Sequence, residues 1–211
     1  MLSILNFKKH FGSRLILDVP ACQLAEGIYL ISGKNGSGKT TFFRSLAGLS
    51  PYQGEISLFN TNIRQDLQRY LSLISYAEAE PLYPEFLTAR DLLHFVAQAR
   101  NVHADVYLEL ADVLGATYFL EQPCSTYSSG MLKKLSLIMA FTGKQKLVLL
   151  DEPFITLDKH AVKALSALIN RFYVEEKMSF FIATHQLEEM GSLPVTGEYV
   201  VENQGFSQLT R

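Results

Sequence analysis

The sequence predicts an α/β protein built on a mostly parallel sheet. Two observations carry that expectation. Three apolar runs without polar alternation, "GIYLIS" (27–32), "KLVLLDEP" (146–153) and "SFFIATH" (179–185), read as strands buried on both faces. Helix-patterned segments stand between them, and strands alternating with helices imply a sheet covered on both sides.

Taken in order, "RLILDV" (14–19) and "GEISLF" (54–59) are short extended segments bounded by turn residues. The run at 27–32 opens into "SGKNGSGKTTFFRSLAGL" (32–49), which predicts a strand over 29–31 and an amphipathic helix over 41–49. Residues 91–120 change character: "DLLHFVAQAR" and "VYLELADVLGATYFL" repeat apolar residues every three or four positions, a helical period. The simplest organisation is an α/β core interrupted by a mostly helical insertion at about 80–127. In "STYSSGMLKK" (125–134), Leu132, Leu135 and Met139 recur on one face of a further helix. "KLVLLDEP" is then followed by the helix "KHAVKALSALINRFY" (159–173) and by the strand "SFFIATH".

Composition narrows the function. The 211 residues are 48% hydrophobic and 19% charged, as in a water-soluble globular protein, and the net charge of −2 argues against a nucleic-acid binder, which needs a basic stripe. No apolar run approaches the roughly 20 residues that span a bilayer, and "MLSILNFKKH" has its lysines on the wrong side for a signal peptide. A cytoplasmic chain is expected. Cys22 and Cys124 lie far apart without metal-ligand spacing and read as reduced structural thiols.

Gly33, Gly38, Lys39 and Thr40 fit G-x-x-x-x-G-K-[ST] between a strand and a helix. The glycines let successive N–H groups curl around phosphate oxygens, Lys39 reaches the β- and γ-phosphates, and the Thr40 hydroxyl holds Mg²⁺. Asp151 and Glu152 end the next buried strand, where ligands sit in open α/β sheets. Alone, such a pair is a helix cap or a solvated turn. Beside a phosphate loop, Asp151 suits the acidic group that fixes Mg²⁺, and Glu152 can polarise an attacking water. His185, at the end of a further core strand, is placed to contact a γ-phosphate or orient that water.

In this order the motifs resemble the nucleotide-binding subunit of the ATP-binding-cassette (ABC) family, across essentially the whole chain. "GKNGSGKTT" is similar to its phosphate loop, "LVLLDEP" to its second acidic motif, and "FITLD" (154–158) to the loop that crosses the dimer interface, with His185 at the switch histidine. The resemblance implies a P-loop NTPase core at about 1–79 and 128–211, an antiparallel β portion near the N-terminus, and an α-helical subdomain at about 80–127. It implies ATP held by Phe11, Gly33, Asn35, Gly36, Ser37, Gly38, Lys39, Thr40 and Thr41, with Phe11 stacked on adenine. Catalysis falls to Glu152, His185 and Lys39, and Mg²⁺ to Thr40 and Asp151.

Residues 127–131 then align with the family signature Leu-Ser-Gly-Gly-Gln, so Ser128, Ser129 and Gly130 would bind the γ-phosphate of ATP held by a second copy, with Asp158 in the interface loop. Two departures stand out. Ser129 replaces the first signature glycine and Met131 the glutamine. The glutamine expected near 78–80, which touches Mg²⁺ and relays movement to the membrane partner, is absent from "ISYAEAEPLYPEFLTARDLL", leaving Glu78 or Glu80 as a substitute.

The resemblance implies an ATPase that dimerises, as a homodimer or with a similar cassette, around two ATP molecules. It would power separately encoded permease subunits from the cytoplasmic face, export being favoured by the lack of a carboxy-terminal regulatory domain. Alternatives are a soluble ABC ATPase of macromolecular assembly and a nucleotide-binding regulator without catalysis.

Overall fold

The computed structural model describes residues 1–185 and 193–209. An amino-terminal hairpin, β1 (Leu2–Phe11) and β2 (Arg14–Leu24), leads into β3 (Ile28–Ser32) and helix α1 (Lys39–Leu46). Then come β4 (Gln53–Leu58), β5 (Thr61–Asn62), α2 (Leu67–Leu73) and β6 (Ile74–Ala77). Helices α3 (Ala89–Ala99) and α4 (Ala104–Val113) follow, with short 3₁₀ turns at Thr117–Phe119 and Cys124–Thr126. The remainder is α5 (Ser129–Phe141), β7 (Leu147–Asp151), α6 (Lys159–Glu175), β8 (Ser179–Ala183), β9 (Gly197–Glu202) and β10 (Gly205–Gln208).

Two sheets result. One is four-stranded and antiparallel, in the order β2-β1-β4-β5. The other is six-stranded, in the order β10-β9-β3-β8-β7-β6, and parallel except where β10 meets β9. Side chains of its central strands alternate between two cores. Ile28, Leu30, Val148, Leu150, Phe180 and Ile182 join the core under α3 to α6. Tyr29, Ile31, Leu147, Leu149, Phe181 and Ala183 join the core under α1, α2 and the antiparallel sheet. Both faces are dry, which is why these strands read as unbroken apolar runs.

Several expectations shift. Helix α1 starts and stops earlier than predicted, because Gly48 at φ 76° ends it, with Leu49 N–H closing onto the Arg44 carbonyl at 2.8 Å. Helix α5 buries more than the face of Leu132, Leu135 and Met139: Lys133 to Ile138, Ala140 and Phe141 are all buried, whereas Leu132 and Met139 are only half-buried. Wedged between α3, α4 and the sheet, it has no wet face. Strand β1 escaped the pattern because its pairing with β4 shifts register between Leu5 and Lys8, around Asn6 at φ 51°. That bulge breaks the two-residue period. A Cβ on Gly54 opposite would lie 2.2 Å from the Asn6 carbonyl oxygen, so glycine is required there.

Candidate active site

Strands β3, β6, β7 and β8 run parallel, so their carboxyl ends share one edge of the sheet. The phosphate loop follows β3, Asp151 and Glu152 end β7, and Thr184 and His185 follow β8. A cleft of about 450 Å³ opens there, lined by Phe11, Arg14, Ile16, the loop from Asn35 to Thr41, Asp151 and Glu152.

The loop fits its purpose through backbone geometry. Gly33, Gly36 and Gly38 have φ of 147°, 77° and 113°. At Gly33 the restriction is doubled, because a Cβ would meet the Val201 carbonyl oxygen at 2.5 Å. Gly38 caps α1 without any side-chain hydrogen bond, which leaves the helix N-terminus open to an anion. The Ser37 hydroxyl is buried with no partner.

Lys39 ties the loop to the end of β8. Its ammonium donates to the Gly33 carbonyl at 2.7 Å and lies 3.2 Å from His185 Nε2. Burial pushes its pKa down, while Glu152 and Asp151 pull it back up. His185 Nε2 is also 3.3 Å from Glu152 Oε1, and the His185 backbone N–H donates to Glu152 Oε2 at 3.3 Å. One nitrogen cannot accept from the ammonium and donate to the carboxylate at once, so the imidazole tautomer decides which neighbour it serves.

Thr40 donates its hydroxyl to Asp151 Oδ2 at 2.7 Å, and Tyr76, from β6, donates its phenol to the same oxygen at 3.1 Å. The other carboxylate oxygen, Oδ1, is buried without a partner, in a residue only 1% exposed. Tyr76 was not foreseen, since an alternating tyrosine in a strand reads as packing. Of the two acidic candidates, Glu78 turns its carboxylate towards Arg44 at 3.6 Å, and Glu80 is exposed.

The small-residue segment lies elsewhere. Ser128 caps α5, accepting from Met131 N–H at 3.3 Å, while its own N–H meets the Met131 sulfur at 3.5 Å, so methionine completes a capping box. Ser129 is exposed. Gly130 packs so closely that a Cβ would stand 2.7 Å from the Thr156 carbonyl oxygen. Neither serine nor the glycine lines the cleft. Asp158 caps α6 through Ala161 N–H at 2.9 Å and pairs with Lys134 at 2.8 Å, contacts that hold its pKa down at about 2. Phe11 ends β1 with 57% of its surface exposed and the Lys9 ammonium 4.7 Å from its ring centre, so it is not a core residue.

A glycine-rich loop, a buried lysine and a strand-end acidic pair at one edge of a parallel sheet define a P-loop nucleotide-hydrolysing fold. Solved structures agree. The ATP-binding subunit of an ABC transporter superposes over 99% of this chain and 90% of its own, with a TM-score of 0.85 at 23% identity. The dimeric bacterial ABC transporter cassette MJ0796 covers 100% of both chains with a TM-score of 0.87 at 17% identity. The family model described as ABC transporter matches residues 21–155. The lantibiotic transport ATP-binding protein SrtF of Streptococcus pyogenes is 33% identical over 92% of this chain and 83% of its own length. The bacitracin transport ATP-binding protein BcrA of Bacillus licheniformis is 30% identical over 89% of this chain, which spans 62% of BcrA. The chain belongs to the ABC transporter family, as an ATP-binding subunit with ATPase activity.

Proposed function

We propose that two copies of this chain, or one copy and a similar cassette, close around two ATP molecules and that hydrolysis reopens them to drive a membrane permease. The observation that carries this is the division of phosphate-binding parts. Loop and acidic residues share one cleft, while Ser128, Ser129 and Gly130 sit outside it at the start of α5, with an exposed serine and no acidic residue in the first turn. Such a helix end attracts an anion but cannot hold a nucleotide alone. A second copy supplies what it lacks.

Within each site, Phe11 stacks on adenine, the loop from Gly33 to Thr41 wraps the phosphates, and Lys39 leaves the Gly33 carbonyl for the γ-phosphate. Glu152 takes a proton from the attacking water, and His185 holds the water or the phosphate in place. Thr40 and Asp151 would hold Mg²⁺: two hard oxygen donors stand together, and the buried, unpartnered Asp151 Oδ1 suits a cation. When bound, Mg²⁺ supplies charge neutralisation to the phosphates. Asp158 belongs to the facing surface of the dimer, and residues 80–127 form a helical subdomain beside the core.

Ser129→Glu tests the shared site. A carboxylate facing phosphate costs several kcal/mol, so ATP-driven dimerisation should weaken on the order of 100-fold or more while the monomer binds ATP as before. Sedimentation with the Glu152→Gln background reads the dimer; undiminished association would sink the proposal. Gly130 is the poorer position, because any side chain there strikes Thr156.

The permease docks near the loop at 78–90 and the first inserted helix. Exposed Leu82 (89%), Phe86 (81%) and Phe95 (68%) present unpartnered apolar surface there, and no helix among the described residues is long and apolar enough to cross a membrane. In this reading the chain sits on the cytoplasmic face, held there by the permease. Export is the direction we favour; the relatives named for lantibiotic and bacitracin transport support the coupling to transport itself. A relative named for aliphatic sulfonates import, from Burkholderia cenocepacia and 29% identical, argues the other way. Copurification in mild detergent should recover a polytopic membrane protein, and reconstitution of the pair should move cargo away from the ATP side. Recovery of ribosomes or of a soluble scaffold instead would refute the transport reading.

A further inference from the structure

Lys133 is 1% exposed, yet it carries an ammonium on a helix wedged into the core. Its three N–H groups meet three backbone carbonyls: Glu78 at 2.7 Å, Ala79 at 2.6 Å and Asp151 at 3.3 Å. Among the described residues it has no carboxylate within ion-pair distance, so backbone carbonyls meet the ammonium directly while Asp151, Glu152, Glu80 and Glu78 favour its charge from further away. A methionine would pack in such a position at lower desolvation cost. What the ammonium does that an apolar residue cannot is bind three chain segments at one point: α5 just after Ser128 to Gly130, the loop after β6, and the end of β7.

We infer that Lys133 is a positioning residue that couples the two ATP sites of the dimer. The inference rests on the shared-site reading above. In that arrangement the start of α5 touches ATP held by the partner, while Asp151 and Glu152 act on the chain's own ATP. Lys133 lies one turn into α5 and holds the Asp151 carbonyl directly. The next peptide is fixed in turn, since Glu152 N–H donates to the Ala183 carbonyl at 2.7 Å. A shift of α5 on meeting the partner's nucleotide therefore moves the backbone that aims Glu152. The same ammonium draws in the 78–79 carbonyls, beside the exposed Leu82 and Phe86, so the permease-facing loop is tied to the same point.

Lys133→Met in the full-length chain tests this. ATP affinity of the monomer should stay within about twofold, because the phosphate loop is untouched. The turnover number should fall on the order of 10- to 100-fold, the effect of a misplaced catalytic group. The Hill coefficient for ATP should fall from above unity to about 1, as coupling between sites is lost. A folded variant with wild-type turnover and cooperativity would overturn the inference, as would a wild-type protein without cooperativity. Should the methionine variant fail to fold, Lys133→Gln, which keeps two donors, decides between the same outcomes. Should both fail, hydrogen exchange on the wild-type chain decides: ATP must change protection at 76–82 and 127–135 together, and independent changes overturn the coupling. Failure of the shared site itself is seen separately, as Ser129→Glu leaving dimerisation intact.

Discussion

Glu152→Gln is expected to lower steady-state phosphate release by 10²- to 10⁴-fold, the span attributed to a positioned general base, and to accumulate an ATP-bound dimer. The amide is isosteric and keeps an oxygen for the His185 N–H, so the cleft should hold its shape. The glutamate side chain is 12% exposed and borders the same cleft as the phosphate loop, within reach of a water beside a bound phosphate. Its removal takes away a proton acceptor and nothing that binds nucleotide. A phosphate-release assay together with sedimentation in ATP gives the answer. Turnover within tenfold of wild type would remove Glu152 from the role of base.

Lys39→Met is the second large effect, and it falls on binding. Hydrogen bonds to charged groups contribute about 1.5–3 kcal/mol, so ATP affinity should fall roughly 10- to 100-fold. The ammonium donates to the Gly33 carbonyl, in surroundings that depress its pKa by burial. A bound phosphate adds a charged hydrogen-bond acceptor to the field that Glu152 and Asp151 already exert on this cation. Phe11→Ala at the far end of the cleft should cost less, about 1–3 kcal/mol of base stacking, and should weaken ADP and ATP equally. Calorimetric titration separates the two. A methionine variant that binds ATP as tightly as wild type would show that the loop backbone and Mg²⁺ suffice.

How much of this was legible in the sequence depends on range. The strands of the parallel sheet announced themselves because both faces are dry, and the phosphate loop because the glycine spacing is set by local backbone geometry. Asp151, Glu152 and His185 were legible as strand-end residues, and the sheet gathers them at one edge. The helix α5 was legible from its apolar spacing, and Ser128 caps it; the further role of its first residues came through family resemblance. Contacts between distant segments were not legible. Tyr76 reaches Asp151 across 75 residues of chain, and Lys133 reaches Glu78 across 55. Lysines mostly lie at the surface, and only packing against two further helices and the sheet buries Lys133 and Lys134. Strand β1 was hidden for a local reason, since the bulge at Asn6 breaks its alternation.

The backbone at Glu152 has φ 46°, in the left-handed region. An L-residue with a Cβ is disfavoured there by about 1–2 kcal/mol, a cost that glycine avoids. Glu152→Gly should therefore melt at a higher temperature than Glu152→Gln, although both are inactive. Selection of variants for heat resistance alone, with no assay of turnover, would drift towards glycine at this position and enrich for sturdier, idle proteins.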